Sequence, residues 1–182
     1  MRNFFPITLL AAAIWPAPVS ALDLETVVVT ATRVEQPLSS VSSSISVVDR
    51  DELEMVDAVH VNQTLTRVPG TWISRGNGQE HLTAIRSPVF TGPGSCGNFY
   101  MAEDGIPLRG TGFCNVNQLF DANTEQAQRI EVLRGPGTTS QGANAMHGVI
   151  NIISQPPAVS SQGRVGVELG PHDFGRVKFS YS

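Results

Sequence analysis

The chain has 182 residues and carries 12 Lys+Arg against 16 Asp+Glu, a formal charge of −4. Its single lysine, Lys178, and its scattered arginines form no basic cluster, which argues against nucleic acid as a partner. The length suffices for one domain with a core of its own and not for two large ones.

The first residues, MRNFF, place Arg2 before the apolar run ITLLAAAIW and the small-residue stretch PAPVSA. This is the layout of a cleavable secretory signal, read here as residues 1–21, with Val19 and Ala21 at the positions that cleavage requires to be small. A membrane-spanning helix would need about 20 apolar residues, and Pro16 and Pro18 end the run long before that. The mature chain is expected to begin at Leu22. Its opening, LDLETVVVTATR, holds a short β-prone core at Val27, Val28 and Val29, and EQPLSSVSSS follows as a polar tether not expected to pack. An apolar strand on such a tether is an aggregation liability unless a partner uses it or it docks as an edge strand on its own domain.

SISVV (44–48) reads as the first strand of the domain. In the DRDELEMV that follows, Asp49 is placed to cap a helix, with Glu52 three residues on. A second short helix is expected to start after Asp57, carrying Val61, Leu65 and Val68 on one face until Pro69 and Gly70 stop it. Caps and first-turn acids account for these carboxylates; no nucleophile with its base accompanies them, so no catalytic role is assigned. TWIS (71–74) and HLTAIRS (81–87) are the next strands, separated by a polar glycine turn. NFYMAEDGIPL (98–108) reads as strand, turn, strand about Asp104-Gly105. Glycine-rich loops flank it and contain both cysteines. Exported proteins reach an oxidising compartment, so Cys96 and Cys114 are expected to pair, which would stabilise by roughly 3 kcal/mol in the chain-entropy account. The histidines, His60, His81, His147 and His172, are dispersed and no CxxC occurs, so neither a metal site nor a cofactor is expected.

The stretch that organises the rest is RIEVLRGPGTTSQGANAMHGVINIIS (129–154). RIEVL alternates Ile130 and Val132 against Arg129 and Glu131, the pattern of a strand with one covered face. Gly135, Pro136, Gly137, Gly142 and Gly148 then require tight turns or close backbone approaches, and GVINII (148–153) is apolar enough for a strand buried on both faces. Two strands are thus joined by a glycine-rich crossing. A phosphate-binding loop would need a Lys followed by Ser or Thr, and no lysine occurs before Lys178. At the end of the chain, GRVGVELG (163–170) and RVKFSYS (176–182) alternate Val165, Val167, Leu169 and Val177, Phe179, Tyr181 against charged and small residues. That is the signature of outer-membrane barrel strands, although a soluble amphipathic hairpin would look the same locally.

EVLRGPGTTSQGANAMHGVINIIS resembles the plug signature of TonB-dependent outer-membrane receptors, departing from it at Gln141 and Asn144. The resemblance implies an α+β fold: a small mixed β-sheet plug with short helices and long loops, followed by the first hairpin of a transmembrane β-barrel. It implies a signal peptide (1–21), a TonB box and Ser-rich linker (22–43), a plug (44–157) and truncated barrel strands (158–182). Glu25, Thr26, Val27, Val28, Val29, Thr30 and Ala31 match the TonB box, which adds as a strand to the energy transducer TonB. Arg86, in LTAIRS, and Arg134, in LRGP, resemble the arginines that hold carboxylates of the barrel wall, a task suited to a fixed guanidinium fork; Ser87 stands where relatives have glycine. In a plug, the loops at 91–98 and 109–117 would face the cell exterior as the ligand floor, with Phe90, Asn98, Phe99, Tyr100, Arg109 and Phe113 as candidates, each aromatic residue equally open to a packing role. The implied activity is gated, energy-coupled uptake of a scarce small molecule, foremost an iron–siderophore complex, at the cell outer membrane and without enzymatic chemistry. Because a closed barrel needs at least eight strands, the chain is expected to be the front of a longer protein. A free periplasmic plug-like binding module is the rival reading.

Overall fold

The computed structural model describes residues 27–28, 36–58, 60–75, 81–88, 98–108, 122–141 and 145–182. At the centre lies a five-stranded mixed sheet assembled from β3 (Ile45–Val48), β6 (Phe99–Glu103), β7 (Ile106–Pro107), β8 (Ala127–Arg134) and β9 (Gly148–Ser154), in the order β3-β8-β9-β6-β7. Only β6 and β9 run parallel; β8 and β9, the two halves of the organising stretch, are antiparallel neighbours. The glycine-rich segment between them is therefore a long hairpin connection and not a crossing. Its glycines serve two purposes. Gly135 turns the chain at φ 137°, whereas a Cβ on Gly148 would lie 2.7 Å from the Leu133 carbonyl oxygen and 2.7 Å from Ile85 Cδ1.

Each face of the sheet is covered. On one face Val48, Met101, Ile130, Val132, Ile150 and Ile152 meet two short helices, α1 (Arg50–Val56) and α2 (Val61–Leu65), and the hairpin of β4 (Thr71–Arg75) and β5 (His81–Ile85). Asp49 caps α1 as expected, its carboxylate accepting from the Glu52 amide at 2.9 Å. The second helix starts after Asp57, as expected. Asp57 itself closes α1 in a left-handed conformation (φ 45°), and the cap of α2 is His60, whose Nδ1 accepts from the Asn62 amide while Gln63 accepts from the His60 amide. α2 ends at Leu65, yet Val61, Leu65 and Val68 are all buried, because the turns that follow keep Val68 on the same side.

On the opposite face Ile45, Leu133 and Val149 pack with Val47, Tyr100 and Ala145, and with Leu38 and Val41 from the stretch read as an unpacked tether. A 3₁₀ turn at Leu38–Ser40 explains the correction: residues three apart eclipse in that geometry, so the two apolar residues of the stretch point the same way. This second cover also corrects the reading of β8 as half-exposed. Glu131 is fully buried, with Arg129 Nε donating to its carboxylate at 2.8 Å. β9 is buried on both faces along most of its length, as its composition requires. The Asp104-Gly105 turn has two positive φ values, 50° and 78°, and is fastened to β9: Gly105 N donates to Asn151 Oδ1 and Ser154 N to Asp104 Oδ1.

β10 (Gly163–Gly170) and β11 (Phe174–Tyr181) form a separate antiparallel hairpin in full register. Val165 opposes Phe179 and Val167 opposes Val177, and these four side chains are 69–76% exposed, so the row of apolar residues faces outward without cover from the described residues. The other face carries Arg164, Arg176 and Lys178, which pair with Glu54 of α1 and with Asp57 just after it.

Candidate functional site

Arg86 and Arg134, 48 residues apart in sequence, are brought to one place. β5 ends at Ile85, and Arg86 follows it at φ 48°, its amide donating to the Gly70 carbonyl at 2.8 Å. That turn aims its guanidinium at the end of β8, where Nη1 donates to the Arg134 carbonyl (3.2 Å) and Nη2 to Ser44 Oγ (3.1 Å). Arg134 in turn donates from Nη1 to the Pro69 carbonyl at 3.0 Å, and its buried Nε has no partner. Gly70 sits between them at φ 81°; a Cβ there would approach Arg86 Cγ to 3.2 Å and Arg134 Cδ to 3.8 Å. Among the described residues neither arginine has a carboxylate partner. Both guanidinium groups thus donate to neutral oxygens among the described residues, whereas the chemistry of such forks is best matched by carboxylates or other anions.

At the other functional end, Val27–Val28 forms β1 and pairs antiparallel with β2 (Gln36–Pro37), Val27 opposite Pro37 and Val28 opposite Gln36. This ladder is two residues long and one member is a proline, which lacks an amide donor, so few hydrogen bonds hold it. Glu25, Thr26, Val29, Thr30 and Ala31 lie outside the described residues.

Of the residues expected at a ligand floor, Phe90, Arg109, Phe113 and both cysteines, Cys96 and Cys114, also lie outside the described residues. Asn98 enters β6 at φ 49° and its carbonyl accepts from the His147 amide at 2.9 Å. Phe99 is buried in the helix-side core, which gives it a packing role. Tyr100 is half-buried on the opposite face, with its hydroxyl donating to the Gly105 carbonyl at 3.3 Å. The described residues contain no cluster of His, Cys, Asp and Glu that could hold a metal ion.

A further polar contact was not anticipated. Arg176 Nη2 donates to both the carbonyl and the carboxylate of Asp57, at 2.7 and 2.6 Å, while its Nε reaches Glu168; Lys178 also pairs with Asp57. Arg164 Nη1 lies 2.6 Å from Glu54, which Arg50 also contacts at 2.8 Å. These hydrogen bonds, from Arg164 first and then Arg50, hold the Glu54 carboxyl below its ordinary range. The only local signal was the alternation that puts Arg164, Arg176 and Lys178 on one face of the hairpin; the helix end that meets them is more than 100 residues earlier.

No helix among the described residues is long and apolar enough to cross a membrane, a statement that leaves crossing by strands open. Residues 37–149 match the family described as TonB-dependent Receptor Plug Domain. The chain is 34% identical over 159 residues to the vitamin B12 transporter BtuB of Vibrio vulnificus, a match that takes in 87% of this chain and 25% of that protein. It therefore spans about a quarter of the length of this curated relative. Among solved structures, the ferripyoverdine receptor of the outer membrane of Pseudomonas aeruginosa superposes with a TM-score of 0.69 at 24% identity, over 85% of this chain and 19% of that one. The ferric yersiniabactin uptake receptor FyuA of Yersinia pestis gives 0.63 at 24%, over 78% and 21%. The family match covers well over half of the chain, so this protein belongs to the TonB-dependent receptor plug domain family.

Proposed function

We propose that the chain is the N-terminal plug portion of a TonB-dependent outer-membrane receptor, with residues 1–21 as signal peptide, 22–43 as TonB box and linker, 44–157 as plug and 158–182 as the first barrel strands. The observation that carries this reading is the β10–β11 hairpin, which turns a charged face onto the plug and an uncovered apolar row away from it. Lipid outside and a plug inside meet those two demands at once. Within such a barrel, Arg86 and Arg134 would take carboxylates of the wall, and the weakly paired β1 would be released to add as a strand to TonB.

The ligand class proposed is a metal chelate. Ferripyoverdine and ferric yersiniabactin, named for the structural relatives, favour an iron–siderophore complex, while the sequence relation to a vitamin B12 transporter keeps cobalamin as the second choice. Asn98, Tyr100, Phe90, Arg109 and Phe113, with a Cys96–Cys114 cross-link stiffening the loops, are the residues proposed for the ligand side. The chain makes and breaks no bond of its own; the family it belongs to consists of receptors.

The test is capture of the chain by the C-terminal domain of TonB, with and without residues 25–31. Binding that requires those residues, and that Val28→Pro abolishes by removing a ladder donor, is the expected result. Equal capture of both forms, or of neither, would refute the coupling and favour a free binding module.

A further inference from the structure

We propose that Glu54 and Asp57, the carboxylates at the C-terminal end of α1, form a second attachment of the plug to the barrel wall, received by Arg164, Arg176 and Lys178 on the inward face of the first hairpin. This rests on the receptor reading for the identity of the hairpin as wall; the contact itself is seen directly. Three features make it more than a surface ion pair.

The first is geometry at Asp57. A left-handed residue closing a helix turns its carbonyl out of the helical ladder, and here the carbonyl and the carboxylate of Asp57 both accept from a single Arg176 nitrogen. The end of a helix also carries partial negative charge, which favours a cation there. The second is charge balance. The hairpin face offers Arg164, Arg176 and Lys178 against one acid, Glu168, and the two carboxylates of α1 supply what the hairpin lacks. The pairing is graded: the Arg176 side chain is 16% exposed and that of Arg164 69%, so Arg176 is the anchor and Arg164 the periphery. The third is polarity and position. Arg50, which shares Glu54 with Arg164, also donates to the carbonyls of Glu125 and Ala127 at the start of β8, whereas Arg134 is the last residue of that strand. At Arg134 and Arg86 the plug presents cations; at α1 it presents anions. Attachments of opposite sign at different ends of one strand admit a single orientation, since a turned plug would set like charges against each other.

Lys178 is the only lysine of the chain, so apart from the terminal amine it is the only primary amine that zero-length carbodiimide coupling can join to a carboxylate. The full chain would be purified in detergent micelles, coupled, and its cross-linked peptides identified by mass spectrometry. Lys178 is expected to couple chiefly to Asp57, and Asp57→Asn to remove that product. In uncoupled protein, Asp57→Asn is expected to raise the rate of tryptic cleavage after Arg176 at least about fivefold, because cleavage of a transiently opened segment follows its open population. Arg176→Gln in addition should give no further loosening of the Lys178 site. Coupling of Lys178 mainly to Glu168 or to another copy of the chain, or cleavage unchanged by Asp57→Asn, would overturn the attachment. Failure to bind TonB with the cross-link intact would instead count against the receptor reading alone.

Discussion

Gly148→Ala addresses the tightest point of the fold. Gly148 opens β9 opposite Arg134 of β8, and a methyl there would stand 2.7 Å from the Leu133 carbonyl oxygen and 2.7 and 2.9 Å from two carbons of Ile85. Ile85 is fully buried, and the carbonyl belongs to backbone held in the sheet, so neither neighbour has room to yield. Overpacking of this kind costs about 1–3 kcal/mol, and the gain from replacing a strand glycine by alanine recovers roughly 0.5–1 kcal/mol of it. With a backbone atom among the clashes the upper part of that range applies, leaving a net loss of about 2 kcal/mol, or about thirtyfold in the ratio of folded to unfolded chain. For a urea dependence of about 1.5 kcal/mol/M the midpoint falls by about 1.3 M. Urea unfolding followed by circular dichroism and by Trp72 emission measures this. Gly166→Ala is the control, because its new methyl meets nothing nearer than Lys178 Cβ at 3.8 Å. A Gly148→Ala midpoint within about 0.3 M of the parent would refute the close-approach argument.

Asp49→Ala removes the carboxylate that receives the Glu52 amide and should destabilise by about 1 kcal/mol in the same unfolding assay, with Asp49→Asn close to the parent. The Glu54 contribution should depend on pH. Its carboxyl is held below the ordinary value of 4.5 by Arg164 and Arg50, so the stabilisation is present in full above that value and is lost as the pH falls through the lower folded-state value. The difference in melting temperature between the parent and Glu54→Gln should accordingly be constant near neutrality and vanish in acid. It should also be small, since the side chain is 44% exposed and such pairs contribute less than about 1 kcal/mol. A difference that grows on acidification would have the wrong sign.

Much of the element order follows from the chain alone. Alternation marks β8, β10 and β11, an Asp-Gly pair marks the β6–β7 turn, and the run from Glu131 to Ser154 carries the resemblance to the plug family. These are local properties: a strand's period of two, a cap three residues from its amide and a turn that needs positive φ are all set by neighbouring residues. What covers each face is not local. Glu131 sits at a position that alternation assigns to water, yet it is buried, on a face that Leu38 and Val41 help to cover from a stretch whose composition reads as tether. Asp57 closes α1 in the left-handed conformation, and its carboxylate there meets Arg176, a partner 119 residues away that no local pattern names. The residues that flank Arg86 and Arg134 resemble a family pattern, but the meeting of the two side chains around Gly70 depends on two strands from different sheets ending side by side. Periodicity states which residues share a face, whereas burial and pairing depend on which distant segment occupies that face, and only the packed chain decides that.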